Sequence, residues 1–200
     1  MRVLVACEYS GRVRDAFLRA GHEAMSCDLL ATEVEGPHYQ GDVRDVIDDG
    51  WDLMIAHPPC TYLSRAGTRW LFPKGELNKE RFASGMEAKR FFEELRNAPV
   101  PRIAIENPVP HKVFGMPEPT QVIHPWEHGH EAQKTTLLWL KGLPKLTPTK
   151  IVGKGEYFID KVNGWRHTKW FMSDTSAKSR SRTFEGIAVA MAAQWGQAPN

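Results

Sequence analysis

The sequence has no apolar run that approaches the length of a membrane span, and the apolar part of residues 1–7 is too short for a signal peptide. These two absences argue against a membrane-spanning or secreted protein. Apolar residues make up 42% of the chain and charged residues 25%, which is typical of a globular protein. We therefore expect a cytoplasmic protein that has no membrane partner.

Cysteine is also scarce. Cys7, Cys27 and Cys60 cannot all pair with one another, and none belongs to a Cys-x-x-Cys motif, so free thiols in a reducing compartment are the simplest interpretation. Cys7 and Cys27 fall on inner positions of predicted strands, where a thiol usually acts as a small apolar side chain. The three histidines between residues 124 and 130 are irregularly spaced and have no cysteine beside them. We therefore expect no metal site.

The net charge of +2 hides an uneven distribution of charge along the chain. Residues 134–182 contain eleven lysines and arginines but only three acidic residues, so the rest of the chain carries an acidic excess. A basic C-terminal third suits a polyanion such as nucleic acid, and a solvated basic surface without a partner is an equally good interpretation. The length fits one domain over residues 1–200.

Apolar stretches that alternate with amphipathic segments predict a series of strands and helices. The strands fall at residues 2–7, 22–28, 52–57, 102–107, 121–124 and 135–140, and the helices at 12–20, 78–97 and 184–195. Strands that are separated by helices of this length form βαβ units, whose strands run parallel. The predicted fold class is therefore α/β, with a Rossmann-like, doubly wound and mostly parallel sheet.

The pattern changes after residue 140. Alternation within residues 150–171 predicts a small hairpin that turns at Asn163-Gly164, a residue pair typical of type I′ turns. The segment 141–182 is well below the size of an ordinary domain. We interpret it as a small basic insert within the single domain.

One short motif, His57-Pro58-Pro59-Cys60, carries the strongest chemical signal. It follows an apolar run that predicts a buried parallel strand, and its two prolines stop that strand and fix the direction of the backbone. Cys60 therefore projects from the carboxyl edge of the sheet, where ligands bind in open α/β sheets. A thiol in this place is positioned like a nucleophile, and the alternative interpretation is an inert buried thiol.

Other predicted strand ends bring polar side chains to the same edge. The first strand ends in Tyr9-Ser10-Gly11, the second in Asp28, the next region holds Asp42, and a later strand ends in Glu106. An acidic residue after the second strand of a doubly wound sheet is placed to bind a ribose. The combination predicts a nucleoside-containing cofactor beside a thiol and a carboxylic acid. For each acidic residue, the alternative is a side chain that only caps a turn.

These motifs resemble those of the DNA cytosine-5 methyltransferases, in the small form common in phages and prophages and typical of restriction–modification enzymes. Pro58-Pro59-Cys60 followed by Ser64 is similar to the family's catalytic loop, and Glu106-Asn107-Pro108 is similar to the motif after its next main strand. Tyr9-Ser10-Gly11 resembles the start of the family's first motif. The resemblance covers roughly residues 1–140 and the last helix.

The resemblance implies methyl transfer from S-adenosylmethionine to C5 of cytosine through a covalent adduct. Cys60 would attack C6, and Glu106 would contact N3 and the amino group, with a pKa raised by burial so that it can donate a proton. Lys134 would replace an arginine of the family's Gln-x-Arg-x-Arg segment, or Arg180 and Arg182 would reach the site from the later loop. Any of these three cations could favour the thiolate. The expected cofactor contacts are Tyr9, Ser10, Gly11, Asp28, Asp42 and Pro58.

The implied partner is DNA, from which the target base must leave the stack. Arg65 and Arg69 would bind phosphates on a loop that closes over the site. Further DNA contacts are expected from Lys169, Arg180 and Arg182 in and after the basic insert. A second subunit could complete the DNA cleft, so a homodimer is one expected arrangement.

Three departures from the family pattern leave other functions open. Val13 and Arg14 replace later glycines of the first motif, the arginine segment is altered, and residues 141–182 stand in place of a target-recognition domain. An enzyme of the same chemistry that acts on a free pyrimidine nucleotide would need no such domain. A non-catalytic DNA-binding protein on a decayed methyltransferase scaffold would need no cofactor pocket.

Overall fold

A computed structural model describes residues 1–159, 166–168 and 181–197 of the chain. Its main sheet contains β1 (Arg2–Ala6), β2 (Glu23–Asp28), β3 (His38–Gln40), β4 (Leu53–Ala56), β5 (Arg102–Asn107), β6 (Gln121–Ile123) and β7 (Thr136–Lys141). The spatial order is β3-β2-β1-β4-β5-β7-β6. Strands β1 to β5 are parallel, whereas β7 runs antiparallel to both of its neighbours. The predicted α/β class with a doubly wound, mostly parallel sheet is confirmed.

Continuous apolar sequence explains why β1 and β4 form the centre of the sheet. Every residue of β4 and the last four residues of β1 are buried. A parallel strand requires such a sequence, because helices cover both of its faces.

Helices cover both faces of the sheet, and the α-helices of the described chain are α1 (Arg12–Arg19), α2 (Thr68–Leu71), α3 (Lys79–Arg96) and α4 (Glu185–Trp195). On one face, Phe17 of α1 and Trp195 of α4 join the same buried cluster as the apolar side chains of β1 and β4. On the other face, Phe92 of α3 packs edge-on against Trp139 of β7, with ring centroids 5.0 Å apart. The sheet is therefore buried between two helical layers.

The direction of travel across the sheet reverses between β1 and β4. From β1 the chain continues through α1 to β2 and β3 on one side, and from β4 it continues through α3 to β5 on the other. Such a reversal leaves a crevice outside the carboxyl ends of the two strands, and ligands of doubly wound sheets bind there. Cys7 and His57 follow these two strands directly, so both lie at the crevice.

The three-residue strands are harder to predict from the sequence than the longer ones. Strand β3 has no clear signal in the sequence, because three residues are too few to display an alternation. The predicted hairpin is confirmed by β8 (Tyr157–Ile159) and β9 (Arg166–Thr168), which pair antiparallel, while its turn at Asn163-Gly164 lies outside the described residues. In the described part of the chain, no helix combines the length and the apolar character that crossing a lipid bilayer requires.

Candidate active site

The ends of β4 and β5 place two titratable side chains side by side. Ala56 pairs with Ile105 in parallel register, so His57 and Glu106 leave the sheet as neighbours. His57 Nδ1 lies 3.3 Å from Glu106 Oε2, and the two side chains are only 10% and 14% exposed. Because a carboxylate accepts a hydrogen bond, the geometry assigns the proton to Nδ1 of His57. Sequence reasoning placed His57 in the Pro-Pro-Cys motif but gave it no role, and its contact with Glu106 is added by the structure.

Hydrogen bonds tie the turn after β4 to the turn after β5. Asn107 Nδ2 donates to the carbonyl of Pro58 at 3.3 Å, and the amide of Arg65 donates to the carbonyl of Val109 at 2.9 Å. Within the first turn, the carbonyl of Cys60 accepts from the amides of the residues three and four positions later. The backbone around Cys60 is therefore held by the neighbouring strand end as well as by its own prolines.

Cys60, Glu106 and Lys134 lie close enough to influence one another's charge. Cys60 is partly exposed. Burial raises the pKa of its thiol, the negative charge of Glu106 raises it further, and the positive charge of Lys134 opposes both effects. The thiol is consequently protonated at neutral pH, and Lys134 is the nearby group that favours the thiolate.

The electrostatics of Glu106 differ from the sequence-based expectation. Burial acts to raise the pKa of Glu106, but the charge of Lys134 and the hydrogen bond from His57 outweigh it, so the net pKa is lower than usual. The expected raised pKa is therefore wrong, and Glu106 is a carboxylate at neutral pH. Burial was predictable from the sequence, whereas the two groups that oppose it are brought to Glu106 by the fold.

A cavity of about 210 Å³ lies at the carboxyl ends of β1 and β2. Asp28 and Asp42 line it, as the sequence predicts, and the structure adds residues that sequence reasoning missed: Cys7, Cys27, Leu29, Gly41, Val43, Arg44 and Phe91. Of the two adjacent prolines, Pro59 lines this cavity, whereas Pro58 is buried and binds Asn107 through its carbonyl. Pro58, the predicted cofactor contact, therefore does not line this cavity, and its neighbour Pro59 does.

The two aspartates of this cavity differ in how much of their hydrogen-bonding capacity remains. Asp28 accepts the amide of Leu30 on Oδ1 at 2.9 Å, and its Oδ2 has no hydrogen bond from any described residue. Asp42 accepts the amide of Arg44 at 3.0 Å and pairs with its guanidinium at 3.0 Å. The backbone hydrogen bond from Arg44 is the main reason that the pKa of Asp42 is lowered. Asp28 is thus the better placed of the two to accept hydrogen bonds from a ligand.

Cys7 is not the core residue that its sequence context predicts. It follows β1 in the left-handed region, with φ at 57°, and lines the 210 Å³ cavity. A second, smaller cavity of about 20 Å³ is also lined by Cys7, together with Tyr9, Ser10 and His57. Cys27, in contrast, is fully buried, and burial raises its pKa to about 12. Cys27 is therefore buried as the apolar-filler interpretation expects, although both thiols line the cavity.

The first turn is organised around a buried carboxylate. Glu8 accepts the amides of Val13 and Arg14, at 2.8 and 3.2 Å, and the hydroxyl of Ser10 at 3.1 Å. These amides belong to the first turn of α1, where unpaired N–H groups usually attract an anion. Because Glu8 already accepts these two amides, they are not open to a ligand. Ser10, a predicted cofactor contact, lines the small cavity and not the larger one.

Arg14 organises the start of α1 and the loop after β2. Its side chain is completely buried and pairs with Asp15 at 2.7 Å. It also donates to the carbonyls of Val34 and Glu35, at 3.2 and 3.1 Å. Gly11 packs against it, with φ at 73° and a Cβ position only 2.5 Å from Val34 Cγ2. Gly11 therefore contacts the β2–β3 loop and lines neither cavity.

The remaining predicted DNA contacts fall in different places. Arg69 is exposed, and its guanidinium lies 3.9 Å from the ring centroid of Trp70. Arg182 forms a two-pronged ion pair with Glu33, at 2.7 and 2.8 Å, beside the small cavity. Lys169 and Arg180 lie outside the described residues. Among the residues that the structure describes, no group of three or more potential metal ligands is found.

These features define a doubly wound α/β protein that presents a thiol, a carboxylate and a lysine beside a crevice at its switch point. No protein-family model and no curated protein sequence matches the chain. Its structure is similar to that of EhMeth, a methyltransferase from Entamoeba histolytica, with 13% identity and a TM-score of 0.47 over 76% of this chain and 57% of that one. It is also similar to a mutant of DNMT2 from Spodoptera frugiperda, with 14% identity and a TM-score of 0.38 over 76% of this chain and 54% of that one. The chain thus matches a little more than half the length of each.

Proposed function

We propose that the chain is an S-adenosylmethionine-dependent methyltransferase that acts on C5 of cytosine in DNA. The observation that carries the proposal is the grouping of Cys60, Glu106 and Lys134 around one site, next to a cavity that contains Asp28. This grouping agrees with the resemblance of the Pro-Pro-Cys and Glu-Asn-Pro motifs. An inert buried thiol would require neither the partial exposure of Cys60 nor its charged neighbours.

The 210 Å³ cavity suits the nucleoside part of S-adenosylmethionine. Oδ2 of Asp28 would accept a hydrogen bond from the ribose, as an acidic residue after the second strand does in doubly wound folds. Leu29 and Phe91 would provide apolar contacts for the adenine ring, with Asp42 at the polar end. When bound, the cofactor supplies an electrophilic methyl group.

Cys60 and Glu106 would divide the work on the cytosine ring. Addition of the Cys60 thiolate to C6 breaks the C5–C6 double bond and places its electron pair on C5, which can then accept a methyl group. Loss of the C5 proton to solvent and departure of the thiolate restore the aromatic ring. Glu106, held by His57, would accept a hydrogen bond from the 4-amino group, since it is ionised at neutral pH.

Lys134→Met tests whether this lysine promotes formation of the thiolate. Because the charge of Lys134 lowers the pKa of both Cys60 and Glu106, its removal is expected to raise both. The rate of Cys60 alkylation by iodoacetamide should fall about threefold or more at about pH 8, and the pH profile should shift to higher pH. Lys112→Met, at an exposed site, is the matched control. An unchanged alkylation profile in Lys134→Met would show that the lysine does not act on Cys60.

Asp28→Ala tests the cofactor cavity. The substitution removes an acceptor for the ribose, and hydrogen bonds to charged groups contribute about 1.5–3 kcal/mol. The dissociation constant for S-adenosylhomocysteine, measured by calorimetry, should therefore increase about 10- to 100-fold. Asp48→Ala, which removes an exposed carboxylate outside the cavity, should bind as the unmodified chain does. Equal affinities for the two variants would contradict the assignment of Asp28.

The function itself is tested by transfer of a labelled methyl group to cytosine-containing DNA. Two further reactions replace this DNA, one with DNA of equal length that lacks cytosine and the other with free deoxycytidine monophosphate. Label in the cytosine-containing DNA alone supports the proposal. Preferential labelling of the free nucleotide would instead identify an enzyme of the same chemistry on a small substrate. Saturable cofactor binding without any labelled product would reject methylation of these substrates.

A further inference from the structure

An exposed groove with aromatic and basic walls lies beside the Cys60 turn. Its volume is about 400 Å³, and we call it the aromatic groove; its lining residues include Tyr62, Arg69, Trp70 and Arg81. Trp70 is 50% exposed and Tyr62 is 42% exposed, although large aromatic side chains are usually buried. Neither ring belongs to the three buried apolar clusters of the described chain.

Two guanidinium groups accompany these rings. Arg69 lies 3.9 Å from the ring centroid of Trp70, while Arg81 lies 5.0 Å from that of Tyr62 and 5.7 Å from that of Trp70. Neither arginine forms an ion pair with a described residue. Nε of Arg81 is buried and has no hydrogen-bond partner in the described chain. Within the described chain, the positive charges of both guanidinium groups are therefore not neutralised by an acidic side chain, which favours an anionic ligand.

The groove is joined directly to the turn that carries Cys60. Arg81 donates to the carbonyl of Thr61 at 2.8 Å, and Gly67 leaves room for it, since a Cβ there would lie 2.9 Å from the guanidinium. Tyr62 follows Cys60 by two residues, so their Cα atoms are at most about 7 Å apart. Stacked nucleotides in one strand are about 3.4 Å apart. The groove is therefore within about two nucleotides of a base at Cys60.

The chemistry of the groove identifies the class of its ligand. Aromatic rings with arginines at their faces bind nucleobases by stacking and phosphates by charge, and arginine is well suited to both contacts. Residues 61–84 contain five basic and two acidic residues, and this excess of positive charge favours a polyanion over an uncharged apolar peptide. One of the acidic residues, Glu80, lines the groove, but two arginines line it as well.

We propose that the aromatic groove binds the unpaired nucleotide next to the target cytosine in a DNA strand. Its base stacks on Trp70 or Tyr62, and its phosphate contacts Arg69 or Arg81. This inference rests on the proposed function and deepens it, because it adds a base-stacking site to the phosphate contact that the sequence predicts for Arg69. It also predicts a preference for locally single-stranded DNA, since a paired base cannot stack on a protein ring.

The experiment compares binding of a short, fluorescently labelled single-stranded oligonucleotide that contains one cytosine. Trp70→Ala should increase the dissociation constant about 5- to 100-fold, because stacking of one base contributes about 1–3 kcal/mol. Trp70→Phe should remain within about threefold of the unmodified chain, since it keeps a ring. Arg69→Gln should weaken binding and reduce the salt dependence by about one phosphate contact. Arg90→Gln, at an exposed position of α3 outside the groove, is the matched charge control.

A methyl-transfer assay distinguishes an error in the groove proposal from an error in the proposed function. If oligonucleotides are methylated, Trp70→Ala should increase their KM, and any slow reaction with free deoxycytidine monophosphate should be unchanged. Oligonucleotide binding that needs Trp70 but gives no methylation would retain the groove and reject the enzyme. The groove proposal is overturned if Trp70→Ala and Arg69→Gln bind like the unmodified chain, if Arg90→Gln loses as much affinity, or if RNA or duplex DNA binds more tightly than single-stranded DNA.

Discussion

Cys60→Ala is expected to reduce methyl transfer at least about 10³-fold, because covalent catalysis has no substitute for its nucleophile. Affinity for S-adenosylhomocysteine should change by less than about twofold, since Cys60 does not line the 210 Å³ cavity. Cys60→Ser should fail as well, because a hydroxyl ionises far less readily than a thiol. The measurement is the initial rate of methyl incorporation into DNA, with thermal unfolding of each variant as the control for folding.

Trapping the covalent intermediate tests the role of Cys60 without depending on the measurement of low reaction rates. DNA that contains 5-fluorocytosine lacks the proton that must leave C5, so the bond between sulfur and C6 should persist. Mass spectrometry should locate this bond at Cys60 and find no adduct in Cys60→Ala. An adduct at Cys7, which also faces the crevice, would move the nucleophile to a different strand end. Methyl transfer by Cys60→Ala above about a tenth of the unmodified rate would contradict the covalent mechanism.

Arg14→Ala is expected to lower the free energy of unfolding by about 3–5 kcal/mol. The substitution leaves Asp15 without its ion-pair partner and removes the donors for the hydroxyl of Ser26 and for the carbonyls of Val34 and Glu35. Buried groups that lose their hydrogen-bond partners retain the cost of having left water. Unfolding in urea, followed by circular dichroism, measures the change.

A neighbouring arginine provides the control for this prediction. Arg19 lies on the same helix but forms an exposed ion pair with Glu185, so Arg19→Ala should cost less than about 1 kcal/mol. Arg14→Lys should fall between the two, because an ammonium group cannot reproduce the planar fork. If Arg14→Ala and Arg19→Ala cost the same, the buried hydrogen bonds of Arg14 would not stabilise the fold. If Arg14→Ala alone is destabilised, we also expect it to bind S-adenosylhomocysteine more weakly. Arg14 holds the β2–β3 loop through Val34 and Glu35, and this loop places Leu29 at the cavity.

Much of the fold was predictable because its signals are local. The apolar runs of β1 and β4 predict buried parallel strands, and the long helix predicted at residues 78–97 is observed as Lys79–Arg96. Parallel strands that alternate with helices bring their carboxyl ends to one edge, so the positions of Asp28 and Cys60 could also be inferred. The antiparallel direction of β7 and the existence of β3 carry no comparable signal in the chain.

The candidate site was predictable only in part, because several of its features depend on contacts between distant residues. His57 and Glu106 are separated by 49 positions, and their hydrogen bond results from the register of β4 against β5. This contact and the charge of Lys134 reverse the expected direction of the Glu106 pKa shift. Likewise, Phe91 reaches the cavity from α3, and nothing in its local sequence distinguishes it from other core-facing residues of that helix.

The sequence by itself determined which residue types follow each strand, because proline, glycine and apolar runs act on the backbone within a few residues of their own position. The tertiary structure alone decided which of those side chains meet and in which protonation state. Pairing, burial and charge depend on register and distance, and these arise only when remote segments pack together. For that reason the Cys60 thiol could be identified from the sequence. That Glu106 bonds to His57, and that Glu106 and Lys134 shift the pKa of Cys60 in opposite directions, could be known only from the fold.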